Sequence, residues 1–146
     1  MSKSDVGEVI SLFVSLPKKK ERVKKETICV DTKGIVEDKF YDKDIQRSIL
    51  LTSIESYALM QKHNIQMEYG ILGENILTDY NPYYLAAGTK IQIGTALLEI
   101  SQYCTICNHL SSIDPRVPEL LKKDRGIFAK VLEEGKIQQG DKITLL

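Results

Sequence analysis

The sequence has no tryptophan, only three cysteines and four prolines, and no net charge. Twenty Lys and Arg residues balance twenty Asp and Glu residues, so the long-range attraction typical of proteins that bind nucleic acid or membrane surfaces is missing. No run approaches the ~18 consecutive apolar residues that a membrane-spanning helix requires. An odd cysteine count favours free thiols in a reducing compartment over a disulfide framework. These absences predict a cytoplasmic protein with no nucleic-acid partner and no membrane.

The common phosphate and nucleophile motifs are also missing. There is no GxGxxG, no GxxxxGK and no GxSxG, so the sequence gives no support to a dinucleotide-binding, P-loop or serine-hydrolase function. Hydrophobic residues make up 42% of the chain and charged residues 27%, which are values typical of a globular protein. A chain of 146 residues can bury one sizeable core. We expect a single domain over residues 1–146.

Short alternating and β-branched segments recur along the chain and predict a mainly β (α+β) fold. We expect strands at residues 9–14, 27–30, 49–51, 90–93, 96–100, 127–132 and 142–146. Thr52 and Glu55 have the spacing of a capping box, which predicts a helix that ends near His63. Shorter helical segments are expected at 105–113 and 118–123. Because strands and helices do not alternate regularly, we expect a closed or nearly closed β-barrel of short strands with two or three short helices.

The segment between the first two predicted strands, residues 16–26, carries six basic residues and Pro17. One interpretation is the solvent-exposed tip of a hairpin that joins these strands. The other is a basic site for an anionic ligand or partner.

Cys104 and Cys107 form a Cys-x-x-Cys pair with His109 close behind. The spacing is compatible with a redox pair at a helix start, or with a zinc site that adds residues such as Cys29 or His63. It is also compatible with a single reactive thiolate, Cys107, that ligates a transition metal or carries sulfur as a persulfide. The remaining interpretation is that both are small buried hydrophobic residues. Cys29, in a predicted strand, is expected in the core.

Five segments, in order, resemble the landmarks of the MOSC family, the domain found at the C-terminus of molybdenum-cofactor sulfurases and in small free-standing proteins. They are residues 34–40 for a GLxGDxH-like turn, Arg47 with residues 48–52, residues 73–76 (GENI) for a GENL-type element, residues 103–110 for a PRxPC-like motif, and residues 125–143 for RGxYAxVLxxGxIxxGDxI. The resemblance extends over nearly the whole chain from about Gly7 and implies a β-barrel-like fold.

The resemblance places Cys107 on the family's key cysteine, which is thought to carry sulfur or to bind molybdenum. It implies the molybdenum cofactor (molybdopterin) as cofactor. It implies an enzyme or enzyme component, either a sulfur carrier or transferase that delivers sulfur to a metal cofactor, or part of a molybdenum-cofactor-dependent reductase of N-hydroxylated compounds. The implied partners are a pyridoxal-phosphate-dependent cysteine desulfurase or a molybdenum-cofactor enzyme.

The resemblance also implies the site residues. Cys107 is the expected metal ligand and catalytic thiol, and Cys104, which replaces the motif's arginine, is expected to act as a resolving thiol. Residues expected at the cofactor are Asp38, Arg47, Glu74, Asn75 and Arg125. For the latter four, loop hydrogen bonding and surface ion pairing are the alternative interpretations.

The sequence departs from the family motifs at four further positions. Tyr103 and Ile106 replace prolines, Glu37 stands where a glycine is expected, and Phe40 stands where a histidine is common. An acidic side chain at a cofactor-facing turn would repel a phosphate. Two other functions therefore stay open at this stage, namely a noncatalytic adaptor that binds a partner through the basic residues 18–25, and a zinc-stabilised module.

Overall fold

The computed structural model describes residues 4–104, 108–122 and 124–146. The strands of this part of the chain are β1 (Ser4–Val14), β2 (Val23–Lys25), β3 (Thr27–Asp31), β4 (Gly34–Ile35), β5 (Ile49–Ser53), β6 (Ile76–Thr78), β7 (Lys90–Ile93), β8 (Ala96–Tyr103), β9 (Ile127–Glu133), β10 (Gly135–Gln138) and β11 (Lys142–Leu145). The α-helices are α1 (Ile54–Lys62) and α2 (Val117–Leu120), and short 3₁₀ helices cover Ile45–Arg47 and Asn108–Ser112.

Seven strands close into a barrel in the order β1, β11, β7, β8, β9, β5 and β6. The long strand β1 closes it, because its first half pairs with β11 and its second half pairs with β6 and β2. The β5–β6 pair is parallel and the other pairs are antiparallel. The mainly β, closed-barrel prediction is therefore confirmed, with two helices.

A second, three-stranded sheet has the order β10, β3, β4 and lies against the barrel, with β3 next to β9 and β10 next to β8. The barrel interior and this sheet share one apolar core, which is filled by alternating strand residues such as Ala96, Leu98 and Ile100 of β8. A second apolar cluster packs α1 and α2 against the outside of the barrel. Leu50, Cys104 and Phe128 form a third, small cluster.

Helix α1 follows β5 directly, as expected, but its cap differs from the prediction. The N-cap is Ser53, whose Oγ accepts a hydrogen bond from the Glu55 amide at 3.0 Å. Thr52 lies in β5 instead, and its Oγ1 donates to the Arg125 carbonyl oxygen at 2.9 Å. The capping-box prediction was wrong by one residue because Thr52 is fully buried and bonds across the barrel wall.

Two other local predictions were wrong. The first two predicted strands do not form a hairpin, since β1 pairs with β2, inside the predicted loop, while β3 pairs with β10 and β4. Cys29 is exposed and not in the core, because alternation along β3 turns Ile28 and Val30 inward and Cys29 outward.

The predicted helix over residues 105–113 is described only from Asn108, where the 3₁₀ helix begins, and the helix predicted near residues 118–123 is α2, ending at Leu120. Among the described residues, no helix has the length and apolar character needed to cross a membrane.

Candidate functional site

A cavity of about 310 Å³ opens beside the third apolar cluster. Its lining combines apolar walls with several basic side chains. The lining residues are Arg22, Phe40, Lys43, Asp44, Arg47, Leu50, Gly73, Asn75, Cys104, Arg125 and Phe128. Four of these carry positive charge and only Asp44 is acidic. We call this space the cationic cavity.

Arg125 is held rigidly at the cavity wall. The side chain is only 4% exposed, and Nη2 donates to the Leu72 carbonyl oxygen at 3.2 Å. The next residue, Gly126, lies so close to β5 that a Cβ there would meet Leu50 Cδ1 at 2.7 Å. The tight packing of Gly126 and the Thr52 hydrogen bond fix the backbone at Arg125. The structure thus places Arg125 in the cavity, where the sequence-based prediction expected an anion contact.

Arg22, which the sequence analysis did not single out, also lines the cavity. It directly precedes β2, and its Nη1 donates to the Glu74 carbonyl oxygen at 3.3 Å. Burial lowers the pKa of the guanidinium from its usual value, and the carboxylates of Asp38 and Glu74 oppose this effect. A signal was available in the sequence: Arg22 is the only arginine among the six basic residues of the 16–26 segment, and arginine suits buried anion recognition better than lysine.

Gly73 lies between these two arginines. Its φ is +90°, a backbone conformation that favours glycine. A Cβ built on Gly73 would lie 3.7 Å from Arg125 Nη2 and 4.0 Å from Arg22 Nη2. Two guanidinium groups therefore converge on one glycine at the cavity wall, which is a geometry that suits an anion.

Glu74 was expected to line the pocket, but its carboxylate lies in a fully buried cluster and is not part of the cavity lining. Tyr57 Oη donates to it at 2.7 Å and the Gly70 amide at 2.9 Å. Burial raises the pKa of the Glu74 carboxyl above its usual value, and the hydrogen bond from Tyr57 offsets part of that effect. The Glu74 carboxylate holds the 70–74 turn, and its backbone carbonyl oxygen accepts the hydrogen bond from Arg22.

Asn75 lines the cavity and joins three strands. Its Oδ1 accepts from the Leu50 amide at 2.9 Å, and its Nδ2 donates to the Phe13 carbonyl oxygen at 3.2 Å. These bonds tie the start of β6 to β5 and β1. The polar atoms of the Asn75 side chain are thus bonded within the protein, and the residue contributes to the cavity as a fixed part of its wall.

Asp38 is buried and acts on the turn that carries Phe40. Its two carboxylate oxygens accept from the Ser15 amide at 2.7 Å and the Phe40 amide at 3.1 Å. Phe40 itself lines the cavity and is 52% exposed. Asp38 is not part of the cavity lining and instead supports the turn that carries Phe40.

Glu37, the acidic departure from the family turn, is also not part of the lining, and it pairs with Lys25 at 3.1 Å.

Arg47 lies at the exposed rim of the cavity. It ends the 3₁₀ helix that begins after Asp44, and its guanidinium carbon lies 4.7 Å from the centroid of the Phe128 ring. This is a cation–π contact, and it orients the rim charge across an aromatic wall. The structure thus brings Arg47, Asn75 and Arg125 together around one cavity, and adds Arg22 and Lys43.

Cys104 is 7% exposed and lies where two cavities meet. The second cavity, of about 560 Å³, we call the tyrosine cavity; it is lined by Asn81, Tyr83, Tyr84, Tyr103, Cys104, Lys122 and Asp124. Cys107, on which the metal and sulfur predictions rest, lies outside the described residues, as do Thr105, Ile106 and the His109 side chain. Among the residues the structure does describe, no group of three or more His, Cys, Asp or Glu side chains is arranged to hold a metal ion.

The fold and the site define a small β-barrel protein with a positively charged cavity in its wall. A family model for the MOSC domain matches residues 39–144. This match spans more than half of the chain, and the protein therefore belongs to the MOSC-domain family.

Three solved structures share the fold. The YuaD protein from Bacillus subtilis is 17% identical, with a TM-score of 0.81 over 99% of this chain and 97% of that chain. YiiM from Geobacillus stearothermophilus is 17% identical, with a TM-score of 0.70 over 99% of this chain and 75% of that chain. YiiM from Escherichia coli is 17% identical, with a TM-score of 0.71 over 95% and 69%. The comparison with curated proteins gives no match.

Proposed function

We propose that this MOSC-domain protein binds molybdenum cofactor in the cationic cavity and that Cys107 is the thiolate ligand of the metal. The observation that carries this proposal is the cavity itself, in which three arginines and a lysine surround apolar walls at Cys104, three residues before Cys107. Family membership supports it, because MOSC domains are associated with this cofactor.

The residues present fit the chemistry of the group. The cofactor's phosphate needs positive charge, which Arg22, Arg125 and the rim residues supply. Its pterin ring would pack against the aromatic side chains of Phe40 and Phe128. Gly73 leaves open the space beside the guanidinium groups that a side chain would fill.

When bound, the cofactor would supply two-electron chemistry at its metal, such as the reduction of N-hydroxylated compounds. The chain's own residues have simpler tasks. Arg22 and Arg125 hold the anionic end, and Phe40 and Phe128 limit access of water to the ring. Cys107 supplies a soft thiolate, which is the ligand type that suits a soft metal centre. A separate electron-donor protein would complete a reductase.

The Cys104-x-x-Cys107 spacing favours sulfur carriage as a second candidate function. In that reaction the Cys107 thiolate attacks the outer sulfur of a persulfide on a pyridoxal-phosphate-dependent desulfurase. A new S–S bond forms on Cys107, the donor's S–S bond breaks, and the donor cysteine leaves as a thiolate. Cys104, buried at the meeting point of the two cavities, would then be the thiol that releases the sulfur.

The test is metal and sulfur analysis of protein purified without oxygen from a host that makes the cofactor. We expect molybdenum and pterin near one per chain in the wild type and in Cys29→Ser, a matched control whose thiol is exposed and away from the cavity. Cys107→Ser should lose most of the molybdenum. Sulfane sulfur in place of molybdenum would favour the carrier function. Absence of molybdenum, pterin and sulfane sulfur from the wild type would contradict both, and an adaptor or a zinc-stabilised module would then remain.

A further inference from the structure

The proposed function leaves the tyrosine cavity without an occupant, although this is the larger of the two cavities that meet at Cys104. Its volume of about 560 Å³ lies within the range of small-molecule sites. Two of the tyrosines that line it are largely exposed, since Tyr84 is 68% exposed and Tyr103 is 55% exposed. Exposed aromatic side chains that line a cavity are typical of a site that packs against an apolar or aromatic ligand.

The aromatic wall of the tyrosine cavity is held in place by the protein. The amide of the buried Tyr83 donates to Asn81 Oδ1 at 2.9 Å, which fixes the turn that carries Tyr84. The Tyr84 ring packs edge to face against Tyr80, with 6.0 Å between the ring centroids, and the two hydroxyls are hydrogen-bonded. Tyr103 is the last residue of β8, which pairs with β9. A wall that is already ordered lowers the cost of binding a flat ligand.

The charges around the two cavities predict the charge of such a ligand. The tyrosine cavity has one cation, Lys122, and one anion, Asp124. Neither of them lies within 4.0 Å of the other or of another opposite charge in the part of the chain that the structure describes. The neighbouring cationic cavity has four positive side chains against Asp44 alone. It therefore repels a cation from the tyrosine cavity and competes for an anion, and an uncharged ligand is the one that the tyrosine cavity favours.

The polar atoms of the tyrosine cavity offer both kinds of hydrogen bond. Asn81 Nδ2 and Lys122 Nζ are donors, and the Asp124 carboxylate is an acceptor. Among the described residues, none forms a hydrogen bond with these three groups. A ligand with a donor and an acceptor at one edge of its ring, as in a carboxamide, matches this arrangement.

We propose that the tyrosine cavity is a second ligand site, which binds an uncharged planar aromatic compound that carries a carboxamide or a similar donor–acceptor group. Tyr84 and Tyr103 supply the ring contacts and determine the preference for an aromatic over a saturated ring. The inference goes beyond the proposed function, because it involves other side chains and requires neither the cofactor nor Cys107. A ring bound here would lie beside the occupant of the cationic cavity, since Cys104 lines both.

The test is an NMR titration of the isotope-labelled full chain, produced in a host that does not make the pterin cofactor. The probes have similar shapes, and three of them each differ from benzamide in one property. Cyclohexanecarboxamide is saturated, benzamidine is positively charged and benzoate is negatively charged. We expect benzamide to bind with a Kd in the millimolar range, as its small size predicts, and to shift the amide signals of Tyr83, Tyr84 and Tyr103.

The other three probes should bind the tyrosine cavity more weakly than benzamide. Cyclohexanecarboxamide loses the contact between aromatic rings, and we expect its affinity to be about threefold to tenfold lower. Benzamidine and benzoate should each bind this cavity at least about threefold more weakly, because the cationic cavity repels the first and competes for the second.

Variants of the two exposed tyrosines separate a ring contact from nonspecific binding. Tyr84→Ala and Tyr103→Ala should each weaken benzamide binding by about threefold to tenfold. Tyr84→Phe keeps the ring and should bind benzamide nearly as tightly as the wild type. Tyr69→Ala is the matched control, because Tyr69 is also exposed but is not part of the cavity lining, and it should leave the affinity unchanged. The amide spectra report whether each variant is folded, and Tyr103→Ala carries the comparison if Tyr84→Ala is not.

Equal affinity for benzamide and cyclohexanecarboxamide, tighter binding of a charged probe, or signal shifts outside the tyrosine cavity would each overturn the proposal. So would the absence of benzamide binding at its highest soluble concentration, or an equal loss of affinity in Tyr69→Ala. The metal analysis separates this inference from the proposed function. A protein that acquires molybdenum and does not bind benzamide would keep the cofactor and lose the second site. A protein that binds benzamide as expected and never acquires molybdenum would keep the second site without the cofactor.

Discussion

The cationic cavity and the tyrosine cavity meet at Cys104 but are built differently. The first receives its charges from three separate segments, through Arg22, Arg47 and Arg125, with a single carboxylate in the lining. The second has one lysine and one aspartate, and its remaining polar side chains are neutral. Its buried Tyr83 is engaged by the protein itself, since its hydroxyl accepts from the Ser53 amide at 2.8 Å and contacts Ser56 Oγ at 2.7 Å.

The two cavities differ in the partners of the polar side chains around them. Around the cationic cavity, the amide of Asn75 and the carboxylates of Asp38 and Glu74 bond to backbone or to Tyr57, and the arginines are part of the cavity lining. Asp38 and Glu74 thereby shape the wall, and their charges favour the charged state of Arg22 without forming an ion pair with it in the described part of the chain. This arrangement supports the proposal that the cationic cavity binds an anion. We also expect the hydrogen bonds of Asn75 in its wall to contribute more to stability than the bond of Asn81 in the tyrosine cavity.

The largest expected effect on stability comes from truncating Asn75 in the wall of the cationic cavity. Asn75→Ala removes two buried hydrogen bonds and leaves the Leu50 amide and the Phe13 carbonyl oxygen without this partner. We expect the free energy of unfolding, measured with urea, to fall by about 2–3 kcal/mol. Asn81→Ala in the tyrosine cavity loses one bond, from the Tyr83 amide at 2.9 Å, at a partly buried site. It should cost about 1 kcal/mol or less. Equal losses would contradict the distinction between the two walls.

A smaller, pH-dependent effect on stability is expected from the buried carboxyl of Glu74. The pKa of Glu74 is raised in the folded protein, mainly by burial, so the folded state holds its proton more tightly than the unfolded state above the usual pKa of 4.5. Glu74's contribution is therefore most favourable below pH 4.5 and decreases as pH rises through the folded-state pKa. Urea unfolding from pH 4 to 8 should show the wild type losing stability relative to Glu74→Gln as pH rises.

Tyr83→Phe provides the control for this pH series. The Tyr83 hydroxyl bonds to Ser53 and Ser56, neither of which titrates in this range. Its removal should cost about 1–2 kcal/mol at every pH, because a buried amide loses its acceptor. A difference between wild type and Glu74→Gln that stays constant with pH, like that of Tyr83→Phe, would show that the Glu74 carboxyl does not titrate abnormally.

The sequence predicted those parts of the fold and site that local pattern determines. Strands β7, β8 and β9 follow from alternation and apolar content, and α1 follows from a polar cap before a helical stripe. Strand β2 did not follow, since Val23–Lys25 is mostly lysine and becomes a strand only because β1 supplies a partner at Leu12–Val14. The burial and pairing of β2 depend on residues far away in the sequence. The periodicity of a short sequence window carries no information about them.

The same limit explains the site. Arg47, Asn75 and Arg125 were identified through family motifs, and all three line the cavity. Arg22 was hidden in a run of charge that locally resembles a solvent-exposed loop. Glu74 lies beside a glycine, like a turn-former, and only its contact with Tyr57, which is 17 positions earlier, explains its burial. Cys29 is the exception, because its apolar neighbours Ile28 and Val30 already indicated that it points outward.

The smallest expected effect concerns the rim. Arg47→Gln removes the cation from the Phe128 ring, 4.7 Å from the guanidinium carbon. At an exposed site this contact is worth about 0.5 kcal/mol of unfolding free energy. A double-mutant cycle with Phe128→Leu should return an interaction energy of about that size.

Lys122→Gln is the corresponding change at the tyrosine cavity. Over the described ranges, Lys122 contacts no ring and pairs with no carboxylate, so the substitution should leave stability unchanged. A zero interaction energy for Arg47 and Phe128 would mean that the rim arginine is held by solvent and ligand alone. Its charge would then count toward anion binding in the cationic cavity without any contribution to the fold.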